Sequence, residues 1–132
     1  MTKIFLEYIE VPIFKEKVNL VFTKYGPYHA IKKLNLLSNY ASAFHQNNIQ
    51  EASTYLKESN ATVLRFNDMT FIILPFNVTH GVIAHEIFHL VKLIMDKRGL
   101  TLSDSSEEAY AHLIDWITDE IYKLKQLLIK PK

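Results

Sequence analysis

The sequence predicts an α+β chain. Three observations lead there. Short runs rich in β-branched and aromatic residues occupy 3–9 and 17–23. A second pair of such runs, 61–66 and 69–76, is separated by two turn-forming residues. After residue 79 the pattern changes to a helical period that continues almost to the end. Strands, then helices, then a hairpin, then two long helices is the order of an α+β fold. The expected architecture is a small mixed or antiparallel sheet packed on a buried helix and a long C-terminal helix.

Each element has a local cause. Pro12 separates the first two strands, and Gly26-Pro27 marks the turn that follows them. From about Tyr28 to Leu56 the helical pattern is broken, with Asn47-Asn48 as the interruption, so two or three short helices are expected. Asn67-Asp68 joins the later strands as a hairpin turn, although neither residue is the favoured glycine. Pro75 cannot donate to a ladder, so that strand ends there or lies at an edge. Thr79 can cap the next helix, Lys97 and Arg98 suit its last turn, and Gly99 can close it. Val82, Ile83, Ile87, Leu90, Val91 and Ile94 wrap most of its circumference, which predicts burial on nearly all sides. The last helix is expected from Ser105 to Ile129, with a stripe of Tyr110, Leu113, Ile114, Ile117, Ile121, Leu124 and Leu128.

Length and composition set bounds. A chain of 132 residues fits one domain, 1–132. A chain of this size can bury about two thirds of its unfolded surface, enough for a core without staples. The formal net charge is +1 and no basic run stands out, which argues against a nucleic-acid partner. There is no cysteine, so neither disulfides nor thiolate-zinc chemistry is available. Glu7 and Glu10 interrupt the N-terminal residues, which lack a signal peptide's apolar run. No stretch is apolar for long enough to span a bilayer. The expected location is the cytoplasm of a prokaryotic or phage-infected cell.

One segment carries chemistry. Residues 82–91 read V-I-A-H-E-I-F-H-L-V. On a helix, His85 and His89 share one face a turn apart, the spacing that grips a single Zn²⁺. Glu86 leaves the same turn at another angle, where it can serve as general base without ligating. A surface helix could carry this pattern by accident. Burying such groups among apolar neighbours without partners would cost several kcal/mol, on the order of the price for lone polar groups, so the apolar context favours a metal site.

A zinc that keeps an open position needs a third protein ligand. The pattern His-Glu-x-x-His-x-x-Gly-x-x-His fails, because Lys92 and Met95 stand at the extra positions. The candidates lie further on, in D-S-S-E-E-A-Y-A-H-L-I-D, residues 104–115. Asp104 and Glu107 form a capping-box-like pair, which occupies Glu107 and leaves Glu108 free. Glu108, His112, Asp115 and Asp119 share one helical stripe, opposite Tyr110 and Ile117. If that stripe faces the buried helix, Glu108 can ligate, with His112 and Asp115 behind it to orient the imidazoles. If it faces water, it is a solvated face. Glu107 and His112 remain alternative ligands. His29, His45 and His80 are expected at surface or capping positions, and Trp116 at a core edge.

V-I-A-H-E-I-F-H-L-V followed by E-A-Y-A-H resembles the gluzincin pattern, a minimal zincin whose third ligand is a glutamate. It is similar to short zincin-type proteins encoded by tailed bacteriophages, and more distantly to small peptidases that cleave phage repressors. The resemblance covers residues 61–122; the first 60 residues carry no matching motif. It implies a zinc metallopeptidase in which His85, His89 and Glu108 hold Zn²⁺ and Glu86 is the general base. It also implies that the strand before the metal helix, Thr70, Phe71, Ile72, Ile73 and Leu74, is an edge that holds an extended peptide or protein substrate. Gluzincins often place an aspartate four residues after the glutamate ligand; here that residue is His112. Tyr110, Tyr122 and His112 are the candidates for stabilising an oxyanion. The alternative reading is a structural virion subunit (neck, tail or connector) built on such a fold, with a vestigial or structural metal site. Its partners would be virion proteins or further copies of itself.

Overall fold

A computed structural model describes residues 4–12, 14–45 and 48–129. The element order is β1 (Ile4–Val11), β2 (Glu16–Thr23), α1 (Pro27–Lys33), α2 (Leu37–His45), α3 (Ile49–Glu58), β3 (Thr62–Phe66), β4 (Met69–Pro75), α4 (His80–Lys97) and α5 (Glu107–Ile129). The fold class is α+β with a mixed sheet. The chain falls into two compact units, Met1–Val82 and Ile83–Lys132.

The first unit is a four-stranded sheet, ordered β1-β2-β4-β3, with three helices. β1 and β2 form an antiparallel hairpin, as do β3 and β4. The two hairpins meet through a parallel pairing of β2 with β4, Val18 beside Thr70 to Thr23 beside Pro75. One sheet face packs against α1–α3. Val21, Leu64, Phe66, Phe71 and Ile73 from the strands meet Ala30, Ile31, Tyr40, Ala41, Ala52 and Leu56 from the helices. Phe66 stacks on Phe71 and meets the edge of Tyr40, at centroid distances of 5.5 and 5.7 Å. Burial pushes the Tyr40 phenol up to about 12, with Tyr55 adding to the shift.

The helix breaks follow from the backbone. Gly26, at φ 98, precedes α1, and Pro27 fills its first position. α1 ends in a Schellman motif. Asn35 takes φ 61, its N–H donates to Lys32 O, and Leu36 N–H donates to Ile31 O. Asn48 caps α3 by accepting from Glu51 N–H at 2.9 Å. Asn47 lies outside the described residues, as do the side chains of His45 and Leu128.

Asn67 and Asp68 take φ 52 and 61. Positive φ at both central residues is the two-residue turn whose twist matches a hairpin. β4 ends at Pro75, but it is not an edge. β2 occupies one side of Thr70–Leu74, and β3 the other side of Thr70–Ile73. The expectation of a substrate-binding edge at Thr70, Phe71, Ile72, Ile73 and Leu74 is therefore corrected. Both rows of backbone hydrogen-bonding groups are already used, and the sheet's edges are β1 and β3. β4 is buried from Thr70 to Pro75, the continuous apolar run of an inner strand.

One polar cluster sits among these strands. The Arg65 guanidinium donates to Glu16 Oε2 at 3.0 Å and to Thr70 Oγ1, and Thr70 Oγ1 donates to the same carboxylate at 3.1 Å. Glu16 and Thr70 are buried. The cluster ties β2, β3 and β4 together at one end.

In the second unit, α4 also closes with a Schellman motif. Gly99 takes φ 74, its N–H donates to Asp96 O, and Leu100 N–H donates to Met95 O at 3.0 Å. Glycine suits this position because a Cβ is strained there. α5 begins at Glu107, two residues later than expected. Ser106, rather than Asp104, precedes it, and its carbonyl accepts from Tyr110 N–H. The Ser106 hydroxyl accepts from Ser103 N–H and donates to Thr101 O, which folds the loop back on itself. The buried stripe of α5 is Tyr110, Leu113, Ile117 and Ile121. Trp116 is half-buried. Among the described residues, no helix is long and apolar enough to cross a membrane.

Replacing Arg65 by Met or Ala withdraws the cation from a buried carboxylate. We expect a loss of about 2–4 kcal/mol in chemical denaturation for both variants. A loss in Ala alone would assign the effect to packing, and no loss in either would show the cluster to be neutral.

Candidate metal centre

Thr79 starts α4 as expected, its hydroxyl accepting from Val82 N–H at 3.3 Å. The helix then turns about 100° per residue, which separates the chemistry into two directions. His85 and His89 fall on the open side, and Glu86 falls on the buried side with Ile83, Ile87, Leu90 and Ile94. The helix is therefore not enclosed all round. Phe88 is 44% exposed, and the His85 side chain 67%. The sequence overstated burial because small or apolar residues, Ala84 and Phe88, sit on the open side.

The two imidazoles face one another. Their Nε2 atoms are 3.1 Å apart and the ring centroids 4.7 Å apart. Two imidazole nitrogens on a single tetrahedral zinc, each at about 2.0–2.1 Å, stand about 3.3 Å apart. The pair therefore fits one divalent ion with little adjustment. Without a metal, the same spacing allows one ring to donate to the other. Phe88 flanks His89, with centroids 6.1 Å apart.

Glu86 is 7% exposed. Its Oε2 lies 4.0 Å from His85 Nε2. Burial raises its carboxyl above the ordinary value near 4.5, and the two histidines pull it back part of the way. Burial therefore makes this carboxyl a stronger proton acceptor than an exposed one.

The other expected residues stand elsewhere. Glu108 pairs with His112, Oε1 to Nε2 at 3.5 Å, and both side chains are exposed, 84% and 76%. Glu107, Asp115 and Asp119 are exposed too. The stripe they form faces water. Among the described residues, no group of three or more His, Cys, Asp or Glu side chains comes together to hold a metal. His85 and His89 form one pair of donors, and Glu108 and His112 another. Tyr110 is no oxyanion donor in this arrangement. It is buried, and its hydroxyl donates to Leu100 O at 3.2 Å, tying α5 to the end of α4.

Comparison with protein-family models, curated proteins and solved structures returns no match for this chain. The geometry of α4 and its motif are thus what bears on function.

The raised Glu86 carboxyl has a consequence for stability. Below its ordinary value, folded and unfolded chains both carry the proton, and the group costs nothing. As pH rises, the unfolded chain releases the proton first, so stability falls until the folded carboxyl has ionised as well. In metal-free protein, Glu86→Gln should therefore raise Tm at about pH 8 and leave it unchanged at about pH 3. A lower Tm for the variant at the higher pH would mean that the carboxylate is held by favourable partners instead.

Proposed function

We propose that the protein is a zinc-dependent peptide hydrolase of minimal zincin type. The observation that carries this reading is the pair of imidazole nitrogens, 3.1 Å apart on the open side of α4, beside the buried Glu86. His85 and His89 hold the metal through Nε2. Glu108 completes the set by exchanging its exposed ion pair with His112, a contact worth about 0–1 kcal/mol and easily given up. Glu107 and His112 are the alternatives.

Zinc, when bound, acts as a Lewis acid that acidifies a water and polarises a peptide carbonyl. The chain's own groups do the rest. Glu86 takes the proton from the attacking water and passes it to the leaving amine. Its buried setting supports this role, because burial raises the carboxyl's affinity for a proton. Phe88, exposed beside His89, offers an apolar contact to substrate. The cellular setting that fits this reading is the cytoplasm of a prokaryotic or phage-infected cell.

A second reading takes the water-facing Glu108 and His112 as they stand, with no third donor beside the histidine pair among the described residues. In it the chain is a structural virion subunit, and α4 keeps a two-histidine relic.

Metal analysis of purified wild type beside His89→Ala, Glu108→Ala and Glu86→Gln separates the two. The hydrolase reading expects about one zinc per chain in wild type, lost in His89→Ala and reduced in Glu108→Ala. Glu86→Gln should keep its zinc and lose peptide hydrolysis. Zinc-free, folded wild type, or full activity in Glu86→Gln, would overturn it.

A further inference from the structure

The first unit holds a second site, built on α1. Tyr28, His29, Lys32 and Lys33 line an open concavity of about 410 Å³ with Asn35. That volume lies within the range of small-molecule sites, about 300–1,000 Å³. None of the five lining side chains is acidic, and two are ammonium groups. A third, Lys57 of α3, stands over the Tyr28 ring at 4.6 Å, and Lys32 stands over the same ring at 5.7 Å. This concentration of positive charge stands in a chain whose formal net charge is +1.

His29 adds an independent sign. The sequence places it at the surface, yet its Nε2 is shut off from water and has no hydrogen-bond partner among the described residues. Its ring leans on Tyr25 at 5.3 Å. A buried polar atom left unbonded is costly, and native proteins rarely keep one without a ligand, ion or water to satisfy it. Lys32 and Lys33 also lie in the last turn of α1, where cations favour the helix dipole. That explains two charges but neither the concavity nor the unbonded imidazole. The Schellman bonds already occupy the Ile31 and Lys32 carbonyls, so neither is left unpaired at the helix end.

We propose that this concavity binds a small oxyanion, the carboxylate or phosphate group of a compact ligand. Lys32 and Lys33 supply the charge, His29 Nε2 supplies the hydrogen bond, and the Tyr28 ring supplies a flat wall. Nε2 is out of reach of bulk water, so the ligand gains it by displacing side chains at the rim.

NMR of the full chain tests this. The ring nitrogens of His29 and the Asn35 amide are followed while inorganic phosphate, and separately acetate, is added at fixed pH and fixed ionic strength. A saturable shift at His29 is expected, weakened about tenfold in Lys33→Ala by loss of a charge-assisted contact. Saturation by phosphate alone assigns a phosphate ligand, by acetate alone a carboxylate, and by both a general oxyanion site. A shift that never saturates, or an affinity unchanged in Lys33→Ala, overturns the proposal. Lys33 is exposed, so the variant keeps the fold.

Discussion

A helix advances about 100° per residue, and this constraint organises the chemistry of α4. Two histidines four residues apart must share a side. A glutamate one residue after the first must leave that side. In α4 the outcome is a pair of imidazoles open to solvent and a carboxyl turned inward among Ile83, Ile87 and Leu90. The inward turn raises the carboxyl's proton affinity, and the outward turn leaves the nitrogens accessible. One backbone geometry thus sets both the accessibility of the imidazole pair and the basicity of the carboxyl beside it.

The sheet obeys a different economy. Each hairpin closes over a short loop, but a hairpin alone has only one partner for each strand. Joining β2 to β4 gives both strands a neighbour on each side and leaves β1 and β3 as the edges. The inner strands are then buried along most of their length, and the Arg65–Glu16–Thr70 cluster satisfies the polar groups carried in with them. Helices α1–α3 cover one face because their small and aliphatic residues, Ala30, Ala41, Ala52 and Leu56, allow close approach to the aromatic pair Phe66 and Phe71.

Most of the element list was legible in the sequence, for local reasons. Gly26-Pro27, Asn48, Asn67-Asp68, Pro75 and Gly99 each mark a boundary through their own φ, cap or missing N–H. The order of strands was not legible. β4 is inner because Val18 and Thr70 pair across a long separation, and Pro75 is compatible with an inner strand that stops there. At the site, the relation of His85, His89 and Glu86 followed from helical spacing alone. The direction of Glu108 did not. A helical stripe fixes which residues travel together, and the packing of the apolar stripe opposite decides what they face. Tyr110, Leu113, Ile117 and Ile121 took the buried side, so Glu108 and His112 took the water. Ser106, not Asp104, stands at the helix start, where its hydroxyl accepts from Ser103 N–H and donates to Thr101 O.

The two ways the sheet is joined also order its assembly in time. The β3–β4 turn brings Phe66 to Met69 with almost no chain to close, so this ribbon can form within microseconds. The β2–β4 pairing must enclose α1–α3, and the entropy of closing that loop is recovered only once the three helices have packed. Until then both hairpins carry a long apolar strand with one unpaired side. A chain slowed at that step would present β2 and β4 to other copies, so the barrier to its folding and its hazard of aggregation arise at the same seam.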